Sequence, residues 1–319
     1  MKSTAVLEVI KPGMLTTIQD LGRSGYQQYG IVVSGAMDKY AMRMANLLTG
    51  NEENAAVLEI TLTGPVFTIL EDCKIAITGG NLSPSADGKS IPLWTEIDLP
   101  KGTVLKFGPI IDGCRAYLAI RGGFDSPLLM GSRSTYLRAE IGGYKGRKLQ
   151  KGDVLYTYDS PTEMKKGYRK SLHSELIPEY SNEIILRVIK GPQWDAFTPD
   201  SQEKFLASTY EISAHSDRMG YRLQGERLET NLTQEQITDP IPNGAIQIPS
   251  NGEPILLLAD RQTTGGYPKI GVVVTVDLFK IAQGKPGDRI SFEAIEIEES
   301  HLLLAEQESA FNLLSVSNR

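Results

Sequence analysis

The chain has 319 residues, more than one typical domain holds, so two domains are expected. A net charge of -6, spread in a mixed pattern without a basic run, excludes a nucleic-acid footprint. No stretch approaches the ~20 apolar residues of a membrane span, and the opening MKSTAVLEVIKPG lacks the apolar centre of a signal peptide. The expectation is a cytoplasmic protein with no membrane or nucleic-acid partner.

Short β-branched runs between glycine and proline turns dominate the first half: Ala5–Ile10, Val57–Leu62, Val66–Leu70, Lys74–Thr78, Val104–Phe107, Arg115–Arg121 and Val154–Tyr158 read as strands. One helix interrupts them, from about Gly35 to Thr49. Met37, Tyr40, Ala41, Met44, Leu47 and Leu48 share one face at helical spacing, Ser34 is placed to cap the start, Asp38 suits the first turn and Gly50 the end. Asp87-Gly-Lys-Ser90 ends like a phosphate loop, but the upstream glycine that such a loop requires is Ser83, so it reads as a hairpin turn. Residues from Asp159 to Asn182 are polar and aperiodic and read as a connection. The expected domains are thus 1–165 and 183–319.

The second half repeats the style, with strands at Ile184–Ile189, Ile255–Ala259, Val272–Val276 and Arg289–Glu293 and a short helix at Asp277–Gln283. A faint internal echo joins the halves: LEVIKPG from Leu7 resembles LRVIKGP from Leu186, and KGTVLKF from Lys101 and KGDVL from Lys151 resemble PGDRISF from Pro286. Frequent short strands with few helices point to a mainly β protein of barrels or sandwiches.

Cys73 and Cys114 each sit beside strand-like sequence and read as reduced and buried. His173, His215 and His301 stand apart, without the spacing of a metal site, so no metal is expected. Neither a GxGxxG fingerprint nor a GxSxG elbow occurs.

Polar residues concentrate at two places. In TTIQDLGRSG, Gln19, Asp20 and Arg23 surround a glycine turn, and Ser34 and Asp38 follow. Together they would place an amide, two carboxylates and a guanidinium about a helix amino terminus, whose free N–H groups attract carboxylates and phosphates. The plainer alternative is that Asp20 pairs with Arg23 and Ser34 only caps. The denser cluster is DRQTTGGYP, Asp260 to Pro268, at the end of an apolar strand. Asp260 is the candidate general base or substrate orienter, because partial burial there would raise its pKa. Gln262, Thr263, Thr264, Gly266 and Tyr267 are candidate substrate contacts. Gln247, in the neighbouring GAIQIP, would bring a second amide beside Gln262. Arg218, in SDRMGYRL, suits a salt bridge or a substrate carboxylate equally. Trp194 reads as a core or interdomain anchor.

These segments, in this order, carry a family resemblance: TTIQDLGRSGY, SGAMD, ANLLTGN, LEITLTGP, RAYLAIRGG, IKGPQWDAF, SDRMGYRLQG, GAIQIP and DRQTTGGYPKI. From about Val9 to Phe292 the chain resembles the biotin-dependent carboxyltransferase-like family. That family contains the C-type component of prokaryotic 5-oxoprolinase, the antagonist of a KipI-like histidine-kinase inhibitor and the allophanate hydrolase subunit 2 domain of urea carboxylases. The resemblance implies tandem cyclophilin-like β-barrels. It also implies a cytoplasmic subunit working with two partners, the KipI-like B-type component of 5-oxoprolinase and a separate A-type component, to convert 5-oxo-L-proline, ATP and water to L-glutamate, ADP and phosphate. ATP is then used by the complex, with no cofactor assigned to this chain. Two alternatives accompany this reading: a regulatory protein that sequesters a kinase inhibitor, and carboxyl transfer from carboxybiotin. Asp239-Pro-Ile-Pro-Asn243 departs from the family pattern, which puts local substrate fit in question.

Overall fold

A computed structural model describes residues 3–158, 170–232 and 237–317. The strands and helices, in chain order, are β1 Thr4–Lys11, β2 Leu15–Gln19, α1 Lys39–Thr49, β3 Val57–Thr61, β4 Val66–Ile69, β5 Cys73–Asn81, β6 Ser85–Ala86, β7 Lys89–Ser90, β8 Glu96–Leu99, β9 Val104–Lys106, β10 Asp112–Ile120, β11 Phe124–Asp125 and β12 Val154–Thr157. They continue with β13 Glu183–Lys190, α2 Pro199–Ala207, β14 Tyr210–Ile212, β15 Gly220–Gln224, β16 Asp239–Pro240, β17 Ala245–Gln247, β18 Ile255–Leu257, β19 Thr264–Gly265, β20 Lys269–Val273, α3 Leu278–Ala282, β21 Arg289–Ala294 and α4 Ile297–Ser317. The chain divides into two compact units: one runs up to Arg23 and over Ser34–Tyr180, the other takes Ser24–Val33 and Ser181–Ser317. Of the polar connection read from Asp159 to Asn182, residues 159–169 lie outside the described residues.

The first unit packs two sheets around one core. A sheet in the order β11-β12-β1-β4-β9-β6-β7 faces another in the order β2-β3-β10-β5-β8. Alternate residues of both sheets, among them Val6, Ile18, Leu58, Phe67, Ile75, Leu105 and Leu118, are buried together, as the two-residue period of a strand dictates. The Asp87-Gly88 turn is a hairpin turn: Ser85 pairs with Ser90 and Ala86 with Lys89, and both turn residues have positive φ, 48° and 78°, the type I′ geometry that matches strand twist.

Helix α1 starts at Lys39, four residues later than the apolar spacing predicts. Ser34 and Gly35 have φ of 57° and 93°, which no right-handed helix accommodates. Gly35 also lies so close to the Leu21–Gly22 backbone that a Cβ there would sit 2.9 Å from Leu21 C and Gly22 N. Ser34 is therefore not the cap. Asp38 is, its Oδ1 accepting from Ala41 N at 2.8 Å.

The second unit is a closed barrel in the order β13-β20-β17-β18-β15-β14-β21. The circle closes by parallel pairing of β13 with β21, from Glu183 with Arg289 to Val188 with Ala294. The echoed LEVIK and LRVIK segments form β1 and β13, one in each unit. Two helices in this half were not read from the sequence. In α2, Thr198 caps through its Oγ1 and Pro199 opens the first turn. The 21-residue α4 exposes Leu302 and Leu313 while burying Phe311, so its apolar residues form no single stripe for a periodicity to report.

Asp277, fully buried, fastens α3 to β13. It accepts from Arg187 N and Nε at 2.9 Å and Nη2 at 2.6 Å, with Lys280 Nζ at 3.0 Å. Burial alone would raise the Asp277 pKa, but the Arg187 and Lys280 contacts outweigh it and hold the carboxyl below its ordinary 3.8. A depressed pKa contributes stability that is complete above the unfolded value and is lost as pH falls through the folded one. Asp277→Asn should therefore lose about 2–3 kcal/mol near neutral pH and show a shallower stability loss below pH ~4, measured by urea melts from pH 7 to 2.5.

Candidate functional site

The DRQTTGGYP loop joins two strands of the barrel, β18 and β20. Its first residues are the mount. Asp260 N donates to Arg218 O at 2.9 Å, and the Asp260 carboxylate receives Arg218 Nε at 2.9 Å and Nη2 at 3.1 Å. Both side chains are 7% exposed. Of the two roles open to Arg218, the structure shows the salt bridge. Its partner is Asp260, so the candidate base is already engaged at both oxygens in a two-point ion pair. Arg261 turns to another side, with Nε on Ile241 O at 2.9 Å and Nη1 on Leu258 O at 3.3 Å. Burial drives its pKa down to about 10. Arg218 braces the loop base through the Asp260 carboxylate, and Arg261 through neighbouring backbone carbonyls.

Beyond the mount, the loop presents itself outward. Gln262, Thr264, Gly266 and Tyr267 are exposed and Thr263 is half-buried. Thr263 contributes its carbonyl to Ile241 N at 3.0 Å. Thr264 and Gly265 form β19, which pairs with β16 in a two-stranded sheet, Asp239 opposite Gly265 and Pro240 opposite Thr264.

Gly265 marks the convergence of the two amides expected to be neighbours. A Cβ at Gly265 would lie 2.8 Å from Gln262 Nε2 and 3.0 Å from Gln247 Nε2. Gln247 is buried and donates to Tyr267 O at 3.3 Å. Across the β17–β20 ladder Gln247 faces Lys269, so the two side chains are same-face neighbours. Lys269, buried, pairs through Nζ with Asp239 Oδ2 at 2.7 Å. Its backbone N donates to Gln193 Oε1 at 3.0 Å, which brings the GPQW segment beneath the site. Trp194 packs edge-on against Phe205 within the same unit. Lys269 was not among the residues singled out in the sequence. The available signal was a lysine at the head of the apolar run KIGVV. Together the side chains offer an ammonium, two amide donors, hydroxyls and a phenol, suited to a small ligand bearing a carboxylate and an amide carbonyl.

The other cluster lies in the first unit and is internal. Gln19, Asp20, Arg23, Ser34 and Asp38 are each at most 1% exposed. The Asp20 carboxylate accepts from Gly22 N, Ser132 Oγ, Ser134 Oγ and Arg133 N, so it holds the 132–134 segment in place. Arg23 Nη2 donates to Ser134 O, and Ser34 Oγ to Thr135 O. Gln19 Nε2 donates to Thr17 Oγ1 and Thr135 O. The entry to α1 is filled by the protein's own groups: Met37 N donates to Glu59 Oε2, Asp38 N to Tyr117 Oη, and Tyr180 Oη to Asp38 Oδ2. Burial first, then the nearby carboxylates, push the Tyr117 and Tyr180 hydroxyls well above their ordinary pKa. At the helix terminus expected to receive an external anion, Asp38 Oδ1 accepts from Ala41 N and Glu59 Oε2 from Met37 N just ahead of the helix. Among the described residues no three His, Cys, Asp or Glu side chains gather to hold a metal, and no helix is long and apolar enough to cross a membrane.

A closed barrel with a polar loop mounted between two of its strands, in a chain that also holds a two-sheet β unit, is the architecture of a carboxyltransferase-type β protein. A family model described as carboxyltransferase domain, subdomain A and B, matches residues 29–294, and the chain belongs to that family. It is 38% identical over 312 residues to the C-type 5-oxoprolinase subunit of Escherichia coli, covering 97% of this chain and 98% of that protein. It is 35% identical over 323 residues to the urea amidolyase of Saccharomyces cerevisiae, covering 97% of this chain but 18% of that one. The crystal structure of the K. lactis urea amidolyase superposes with a TM-score of 0.92 at 31% identity, over 98% of this chain and 20% of that chain.

Because the atoms a Gly265 side chain would strike include the mobile ends of Gln247 and Gln262, Gly265→Ala should displace the amides without unfolding the barrel. The expected result is a melting temperature within about 4 °C of the native one, a change of roughly 1 kcal/mol or less, together with at least tenfold weaker ligand binding, read by thermal melts and calorimetric titration.

Proposed function

We propose that this chain is the C-type subunit of an ATP-dependent 5-oxoprolinase complex and that the DRQTTGGYP loop forms one wall of its 5-oxoproline pocket. The observation carrying this reading is the match to the E. coli 5-oxoprolinase protein along 98% of its length. Nearly every part of that protein therefore has a counterpart here, whereas more than four-fifths of the yeast urea amidolyase lies outside the match. The name of that relative, one lettered subunit of an enzyme, supports an assembly with others. We take these to be a KipI-like B-type component and an A-type component, in the cytoplasm.

The chemistry suits a divided labour. Hydrolysis of an unstrained lactam needs coupling. Transfer of the ATP γ-phosphoryl group to the lactam oxygen makes C5 electrophilic. One water adds there, the C–N bond breaks to free the amine, and a second water releases phosphate from the resulting acyl phosphate. In this scheme Gln247, Gln262, Thr263, Thr264, Gly266 and Tyr267 bind and orient the lactam. Asp260 and Arg218 act through the loop they anchor, as positioning residues. Gln19, Asp20, Arg23, Ser34 and Asp38 hold the first unit in shape.

Carboxyl transfer is a second reading, favoured by the family description and by the 0.92 superposition on the urea amidolyase structure. The same ammonium and amide donors would fit a carboxylated ureido group, which would supply an activated carboxyl to an acceptor amide.

Reconstitution separates the readings. The chain purified with both partner components should hydrolyse ATP only when 5-oxo-L-proline is present, lose that activity when any one component is omitted, and be insensitive to avidin. An inactive complete mixture favours the regulatory role, and inhibition by avidin favours carboxyl transfer. Asp260→Ala leaves Arg218 buried without its carboxylate, at a cost of about 3–5 kcal/mol. It should abolish glutamate formation. Asp260→Leu combined with Arg218→Met should recover the melting temperature but not turnover.

A further inference from the structure

Lys269 and Asp239 form an unequal pair. The lysine side chain is 4% exposed and the aspartate 49%. Lys269 belongs to the barrel wall: it opens β20, faces Gln247 across the ladder, and its N–H is held by Gln193. Asp239 belongs to β16, a two-residue strand outside the barrel whose ladder is limited to Gly265 and Thr264. One of its two residues, Pro240, has no N–H to give. A buried ammonium requires a counter-charge, and here the cation is built into the scaffold while the anion stands on a short external arm. The amides of Gln247 and Gln262 converge on Gly265, the residue opposite Asp239. A fixed cation with amide donors on the same face suits a carboxylate, and the carboxylate paired with Lys269 here is that of Asp239.

We propose that Lys269 is the subsite for the carboxylate of a small organic acid and that Asp239 is an internal stand-in which the ligand displaces. The identity of the acid as 5-oxo-L-proline rests on the function proposed above; the carboxylate subsite does not. Displacement couples binding to the loop, because β16 pairs with β19 inside DRQTTGGYP. An internal competitor lowers apparent affinity by the fraction of molecules in which it is absent. With Asp239 seated about nine-tenths of the time, its removal tightens binding by about tenfold.

The test is calorimetric titration of the full chain, native, Asp239→Asn and Lys269→Met, with 5-oxo-L-proline, its carboxamide analogue and acetate. The expected result is that Asp239→Asn binds both acids about tenfold more tightly than the native chain, binds the carboxamide no better, and that Lys269→Met binds neither acid. Tighter acetate binding with 5-oxo-L-proline no better than acetate upholds the subsite and removes the 5-oxoproline reading. Unchanged or weaker binding of both acids by Asp239→Asn, or no binding of either acid by any form, overturns the proposal. Should Asp239→Asn fail to fold, the native chain carries the test. The Asp239 side-chain carboxyl 13C resonance should shift on titration with acetate and not with chloride, and an identical response to both salts overturns the proposal.

Discussion

Ionised groups withdrawn from water must find their compensation inside the protein, and that constraint organises both units. Asp20 has four donors, Asp260 a two-point arginine, Asp277 an arginine and a lysine, and Lys269 an aspartate. Each arrangement joins segments far apart in sequence: Asp20 reaches 132–134, Arg218 reaches 260 and Arg187 reaches 277. Hydrophobic burial supplies the bulk of the driving force, but these contacts set which loop lies against which strand. They explain why polar residues are dense where two segments meet as well as where a ligand binds.

That double use of polar residues decides how far the sequence could be read. Strands were legible because β-branched runs bounded by glycine and proline carry their own signal, and β3, β4, β9, β10 and β13 fall within a few residues of expectation. The start of α1 was not. The apolar spacing extends back to Met37, while the positive φ of Ser34 and Gly35, set by contact with the Leu21–Gly22 backbone, forbids a helix there. Helix α2 opens on a Thr-Pro pair but has few apolar residues to give it a period, and α4 lacks a one-sided apolar stripe. At the candidate site the density of polar residues singles out the loop but does not sort its members. Only burial separates Asp260 and Arg261, which carry the loop, from Gln262, Thr264 and Tyr267, which it displays. Lys269 carries no such signal, because a lysine at the head of an apolar run looks like an edge residue until its burial is known.

The family relationship and the geometry bear on different questions. Likeness to a 5-oxoprolinase component and to urea amidolyase speaks for a common scaffold. The cluster about Gly265 speaks to chemistry instead, since amide donors and an ammonium are groups that pair with carbonyl and carboxylate oxygens.

The barrel itself has a timing built into it. Its closing pair, β13 with β21, joins Glu183 to Arg289, positions 106 apart in the chain. At roughly 5–20 residues per second, translation leaves β13 without that partner for about 5–20 s. The strands that carry the candidate site, β18 and β20, emerge within the interval. Without β21 the order cannot close, leaving β13 and β14 each short of one neighbour, and unpaired edges are where β proteins are most exposed to mispairing. The parallel seam that makes the finished barrel edgeless is therefore also the step on which its safe assembly waits.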